Sequence, residues 1–220
     1  GDGIVDVAMN VDDANEAHKS CLSRGAVSAY DFNNNSGYGA SAIKTYGDVI
    51  HSFIDNSSYD GIWAPGYTSL NHISLKSNDT GLIRIDHVVG NVEEDKMNYW
   101  RDFYENIFGF TNFVVFDETD ISTKYSSLKS RVMRSKNWKV RLPINEPAQG
   151  LKKSQIQEYL DFNEGPGVQH VALLTDDISS SISALRQNGM DFLDVPDTYY
   201  ENLSDRVGNI DESIEEMKKL

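Results

Sequence analysis

The sequence is poor in cysteine, in proline and in positive charge. Of its 220 residues, one is cysteine and five are proline. Cys21 therefore has no partner for an internal disulfide, and a cysteine-rich zinc site is excluded. Lysine and arginine number 20 against 34 aspartates and glutamates, for a net charge of −14. A nucleic-acid backbone or an anionic membrane surface would be repelled by that balance. Long apolar runs are missing too, since no stretch approaches the roughly 20 residues of a membrane-spanning helix. The opening Gly1-Asp2-Gly3-Ile4 has neither a basic region nor an apolar leader, so no signal peptide is expected. The Asn-X-Ser/Thr triplets at Asn56, Asn78 and Asn202 are accordingly read as chance. These absences predict a protein of a reducing, cytoplasmic compartment that binds neither nucleic acid nor membrane. What is present, 39% hydrophobic residues over this length, suffices for a sizeable core in one domain or two small ones.

The chain repeats itself. Residues 1–13, GDGIVDVAMNVDD, and 165–177, GPGVQHVALLTDD, share six identities at a constant offset, and Gly25 and Gly189 fall in the same register. A weaker middle copy starts at Ile83 and ends near Gly109. Each copy opens on an apolar, β-branched run (Ile4–Val11, Ile83–Val89, Val168–Leu174) that predicts a strand. In the outer copies Asp12-Asp13 and Asp176-Asp177 follow, suited to cap a helix N-terminus. Helical spacing comes next: Tyr99, Phe103 and Ile107 in the middle copy, and Ile178, Ile182 and Leu185 in the last. Further strands are predicted at Phe113–Phe116, Leu128–Met133 and Trp138–Leu142. The unit is β-α-β-β-β, and the fold class is α+β, built from repeated βαβββ modules. The polar stretch Ser69–Gly81, preceded by Ala64-Pro65-Gly66, is the candidate linker.

At one equivalent position in the opening strands, the copies carry Asp6, His87 and His170. A histidine in an apolar strand is usually a hydrogen-bonded core residue; two at matched repeat positions are better explained as a pair. Pseudo-symmetric packing would bring the two imidazoles together in a barrel-like cavity. Two histidines plus one carboxylate, with open positions, suit non-haem Fe(II) and oxygen chemistry. Metal-ligating nitrogens would then lie about 3 Å apart, given bonds of about 2.0–2.1 Å. Elsewhere His51 reads as structural, His18 as a helix-surface residue, His72 as a linker residue and Cys21 as inert. Lys152 and Lys153 read as surface charge that could guide an anion. Asp6 is not expected to bind metal.

Several runs resemble the 4-hydroxyphenylpyruvate dioxygenases. Ile85-Asp86-His87-Val88-Val89-Gly90-Asn91 resembles their first iron-ligand strand, and Gly167-Val168-Gln169-His170-Val171-Ala172-Leu173 the second. Pro143-Ile144-Asn145-Glu146-Pro147-Ala148 and Lys152-Lys153-Ser154-Gln155-Ile156-Gln157-Glu158-Tyr159 are similar to further family runs. Val195-Pro196, Tyr199-Tyr200 and Thr45-Tyr46-Gly47-Asp48 continue the likeness over essentially the whole chain. The resemblance implies a vicinal-oxygen-chelate fold of glyoxalase-like half-barrels, truncated at both ends. Residues 1–68 would be the second module of a non-catalytic N-terminal domain, 69–82 a linker, and 83–220 a catalytic domain with an incomplete last module. It also implies Fe(II) as cofactor, held by His87 and His170. The third ligand, a Glu, would lie beyond residue 220. Ser130, Pro143, Asn145, Gln155 and Gln169 match positions that line the substrate pocket. The implied reaction turns 4-hydroxyphenylpyruvate and O2 into homogentisate and CO2, in tyrosine and phenylalanine catabolism, with a homodimeric full-length protein. Two alternatives stay open: the sister activity of 4-hydroxymandelate synthase, and a non-catalytic relative that keeps the fold without the third ligand.

Overall fold

The computed structural model of the chain describes residues 3–70, 79–116, 128–148, 152–201, 203, 208 and 213–218. Side chains at 114–116, 128 and 216 lie outside this description, as do most of the candidate linker and His72. Two compact units are present: Gly1–Ser69 with Ile85–Ala172, and Leu70–Arg84 with Leu173–Leu220.

The expected β-α-β-β-β grammar is met twice. In the first module β1 (Met9–Asn10), α1 (Ala14–Ser23), β2 (Ser28–Asn35), β3 (Tyr38–Lys44) and β4 (Ile50–Asp55) give a sheet of order β1-β4-β3-β2. The opening strand is shorter than its apolar run. Only Met9 and Asn10 pair regularly with β4, in parallel, and Asp6 adds an isolated bridge to Ile50. In the second module come β5 (Leu82–Asn91), α2 (Met97–Phe103), β6 (Thr111–Phe116), β7 (Leu128–Arg134) and β8 (Arg141–Pro147). Its first and last strands again run parallel, with Gly90 opposite Ile144. α3 (Gln155–Asn163) leads into the third copy, whose opening strand β9 (Gly167–Thr175) joins this sheet in the order β6-β7-β8-β5-β9. The copy then adds α4 (Ile178–Gln187), α5 (Asp197–Glu201) and α6 (Ile214–Met217). Both sheets are open; no closed barrel forms among the described residues.

The helix starts are chemical. Asp13 accepts from the Glu16 N–H at 2.9 Å and Asp177 from the Ser180 N–H at 3.0 Å, so the predicted aspartate caps do satisfy free donors of the first turn. Ser154 caps α3 in the same way, through the Gln157 N–H. Two local expectations shift. The every-four spacing put Tyr99 on the buried face of α2, yet Tyr99 is exposed and the buried side chains are Met97, Tyr104 and Ile107. A strict four-residue step drifts by about 40° around a helix of 3.6 residues per turn. The burial stripe instead mixes threes and fours, and the helix ends in one π-helical turn, Tyr104–Phe108. The strand expected at Trp138 starts only at Arg141. Residues 135–140 make a tight hairpin turn, with Trp138 in the left-handed region and the Asn137 side chain accepting the Lys139 N–H.

The two modules of the larger unit share one core. Val88, Met133, Leu142 and Ile144 of the second sheet bury against Tyr46 and Val49 of the first module and Tyr104 of the helical turn. A second cluster joins Cys21, Ile43 and Phe53 to Ile107. The Ile107 carbonyl accepts from Arg24 at 2.9 Å, using an acceptor at the helix end that lacks an intrahelical partner. A polar relay threads this core. The His51 Nδ1–H donates to the Val7 carbonyl at 2.9 Å, and the Tyr104 hydroxyl donates to His51 Nε2 at 2.7 Å. The Tyr46 hydroxyl bonds that of Tyr104 in turn. His51 is thus structural, as read. His18, read as a surface residue, is in fact buried and bonded to the Ser28 hydroxyl at 3.1 Å. The inert reading of Cys21 agrees with its burial, which pushes the thiol up to about 11.

Gly90 is fixed by this relay. A Cβ there would stand within 2.4 Å of the Tyr46 hydroxyl oxygen, and Tyr46 is itself buried. Gly90→Ala is expected to lower stability by about 1–3 kcal/mol through overpacking. Gly3→Ala, where nothing lies within 4 Å, should be neutral. Urea unfolding of the two variants checks the difference.

Candidate metal centre

Strand alternation sorts the second sheet into two faces. Register sets Asn91 opposite Asn145, Ser130 opposite Asn145, and Val132 opposite Pro143. Val88, Met133, Leu142 and Ile144 take the core side. His87, Val89, Asn91, Ser130, Pro143 and Asn145 take the other. Three of the residues expected to line a pocket therefore gather on the face that carries His87. Ser130 and Asn145 are buried there and Pro143 is half-buried. Gln155 stands apart at the start of α3 and is exposed.

His87 and His170, 83 positions apart in sequence, come together: their ring centroids lie 5.7 Å apart in an edge-on arrangement. Each ring is held at Nδ1 by the side chain of the residue before it. Asp86 Oδ2 lies 2.9 Å from His87 Nδ1, and Gln169 Oε1 lies 2.6 Å from His170 Nδ1. A carboxylate only accepts, so this contact is a hydrogen bond when His87 carries its proton on Nδ1. Asp86 also pairs with Arg141 of β8. The His87 and Arg141 partners hold the Asp86 carboxyl below the ordinary carboxylate range. Partial burial of the ring, and then the neighbouring His87, lower the His170 imidazole from its ordinary value.

The pair does not sit inside an enclosed barrel, as its sequence pattern suggested. His170 is exposed and the His87 side chain is 31% exposed. The adjoining cleft, of about 1040 Å³, is open and runs past Asp86, His87, Arg141 and Val171 to Asp6 and Val7. The enclosing wall is missing because, among the described residues, no strand follows β9.

Asp6, the repeat equivalent of the two histidines, accepts from the Ser52 hydroxyl at 2.6 Å and the Ser52 N–H at 3.2 Å. It closes its own module. Among the described residues no group of three His, Cys, Asp or Glu side chains is placed to hold a metal. The donor set nonetheless suits a divalent metal as far as it goes. Two imidazoles meet, and each has Nδ1 engaged by an oxygen acceptor, which leaves Nε2 as the lone-pair nitrogen.

Sequence reasoning missed Asp86, Arg141 and Asn91. Asp86 could have been noticed as a charge in the apolar run before His87. Arg141 needed the β5–β8 register. Asn91 is fully buried, accepts from Asn145 at 3.4 Å, and its Nδ2 has no partner among the described residues.

Residues 84–211 match the Glyoxalase/Bleomycin resistance protein/Dioxygenase superfamily, and the chain belongs to that superfamily. Within it, the chain is 41% identical over 213 residues to the 4-hydroxyphenylpyruvate dioxygenase of Tetrahymena thermophila, covering 92% of this chain and 52% of the relative. It is 43% identical to the protein of that name from Aspergillus fumigatus (94% and 53%) and 40% identical to that of Danio rerio (94% and 54%). The chain thus spans about half the length of these relatives. Among solved structures, a triple mutant of 4-hydroxymandelate synthase from Streptomyces coelicolor superposes with a TM-score of 0.74 at 23% identity. It covers all of this chain and 60% of that one. That likeness concerns the fold. No helix among the described residues is long and apolar enough to cross a membrane.

Proposed function

We propose that the chain is part of an Fe(II)-dependent 4-hydroxyphenylpyruvate dioxygenase, which forms homogentisate and CO2 from 4-hydroxyphenylpyruvate and O2. The observation that carries this reading is 40–43% identity over 92–100% of the chain to proteins of that name. His87 and His170 would hold the iron through Nε2. When bound, Fe(II) supplies the open coordination positions at which a 2-oxo acid and dioxygen react. The chain's own residues bind and orient. Ser130 and Asn145 offer a hydroxyl and an amide side by side on the face that carries His87, Pro143 shapes the same wall, and the Asn91 Nδ2, without a partner among the described residues, adds a polar group to the site. Gln155 and Gln169 belong to the substrate set by resemblance. In this structure Gln169 already holds His170. The reading brings with it a role in tyrosine and phenylalanine breakdown, a cytoplasmic setting and a homodimeric full-length protein.

Metal titration tests the site. The chain is expected to bind Co(II) or Fe(II), and the double variant His87→Ala/His170→Ala to bind at least about tenfold more weakly, because both imidazole donors are gone. Unchanged stoichiometric binding in the double variant would show that the metal lies elsewhere. Product analysis separates homogentisate from 4-hydroxymandelate in a chain extended to the relatives' length.

A further inference from the structure

The residue before each histidine holds that histidine's Nδ1, but the two arrangements differ. Gln169 is a neutral amide on its own strand. Asp86 is a carboxylate with one oxygen on His87 Nδ1, at 2.9 Å, and the other on Arg141 of β8. Arg141 has only donors to offer. It anchors the Asp86 carboxylate from the neighbouring strand and leaves the remaining oxygen facing the imidazole. All three side chains are half-buried, 22–31% exposed.

We propose that Asp86, clamped by Arg141, is a positioning residue that locks His87 in its Nδ1–H tautomer and turns Nε2 outward as the metal-binding nitrogen. The tautomer lock stands on the geometry alone; its use for metal rests on the iron reading above. The arrangement makes a sharp demand on one near-isosteric change. In Asp86→Asn, Arg141 must still be met by an acceptor, so the amide oxygen stays with the guanidinium. The amide NH2 then faces His87 Nδ1, which must become the acceptor, and the proton moves to Nε2. Substituting Asn for a carboxylate that orients a histidine inverts the tautomer in the serine-protease triad by the same logic. Removing the clamp as well, in Asp86→Asn/Arg141→Met, frees the amide to turn its oxygen to Nδ1–H and restores the original tautomer in part.

Long-range ¹H–¹⁵N NMR of the metal-free chain at about pH 8, where imidazoles are neutral, reads the tautomer of each of the five histidines. His87→Gln identifies the signals. The wild-type chain should show His87 protonated on Nδ1, Asp86→Asn should show it on Nε2, and the double variant should move back. Co(II) titration of the same proteins should show affinity about 10–100-fold lower in Asp86→Asn, with partial recovery in the double variant. An Nε2–H tautomer in the wild type overturns the proposal without any variant being needed, and so does an unchanged Nδ1–H tautomer in Asp86→Asn. An inverted tautomer with unchanged Co(II) affinity overturns the link to metal. If His87→Gln also leaves Co(II) affinity unchanged, the iron reading itself fails.

Discussion

Acidification from about pH 7 to about pH 4 is expected to remove roughly 3 kcal/mol of stability through His51 alone. The side chain is fully buried, and burial lowers its pKa from an ordinary value of about 6.5 to about 4. The bond to the Val7 carbonyl and the charge of Asp6 pull the other way but do not win. The direction follows from linkage. The unfolded chain takes up a proton on this histidine below about pH 6.5, whereas the folded chain resists until about pH 4. Stability from the neutral ring is therefore complete above about pH 6.5 and falls steadily as the pH drops towards 4. The difference between about 6.5 and about 4 corresponds to about 3 kcal/mol. Urea unfolding at intervals across this range measures the loss. His51→Gln, which does not titrate, should flatten the dependence even though it is less stable at neutral pH. Tyr104→Phe leaves His51 Nε2 and the Tyr46 hydroxyl without their shared partner, for an expected loss of about 2–4 kcal/mol at neutral pH. An equally steep acid loss in His51→Gln would assign the transition to other groups.

Supplied with 4-hydroxyphenylpyruvate, ascorbate and excess Fe(II), the 220-residue chain alone is expected to form homogentisate at no more than about a hundredth of the rate of a polypeptide of the relatives' full length. Two imidazoles without a third protein donor hold a divalent metal weakly and leave its other positions to water. The structure adds a second reason. His170 is exposed beside an open cleft, and reactive chemistry of this kind needs water kept out. The two carboxylates that lie near the pocket segments in sequence, Glu146 and Asp161, are occupied. Glu146 accepts the Met97 N–H at 3.0 Å and lies 3.4 Å from Lys129, while Asp161 pairs with Lys153 and accepts from Gln157 at 2.8 Å. Product assayed by chromatography decides the matter. Turnover comparable to that of the full-length protein would mean that a carboxylate inside this chain serves as the third ligand, and Glu146→Gln and Asp161→Asn would be the first variants to test.

Much of this architecture was legible because it rests on local rules applied more than once. An aspartate two or three residues past an apolar run caps a helix in both outer copies, and the sequence offset that aligns Gly1 with Gly165 also aligns Asp6 with His170. The meeting of His87 and His170 followed from that symmetry. What stayed hidden depends on partners distant in sequence. Nothing near His18 announces Ser28, and nothing near Asp86 announces Arg141, 55 positions on. The buried side of α2 was misplaced because Tyr99 and Tyr104 are equally aromatic, and only the surface they meet distinguishes them. The enclosing cavity was expected from pseudo-symmetry, which presumes that the last copy is as complete as the others. Beyond β9 the described chain supplies helices instead of the three strands that would close it.

The relay of Val7, His51, Tyr104 and Tyr46 has a consequence for how such a chain can change over generations. A duplicated module begins as an independent copy, free to vary wherever its own core tolerates it. Here the hydroxyl of Tyr46 occupies the space beside Gly90, and the histidine of one copy has its hydrogen bond completed by the tyrosine of the next. A substitution in either copy is therefore judged by its fit to the other. Gly90 cannot acquire a side chain until Tyr46 has given way, and Tyr104 cannot lose its hydroxyl until position 51 has become apolar. Such pairs should be inherited together in descendants of this chain, and recombination between the modules of diverged relatives should fail most often at this seam.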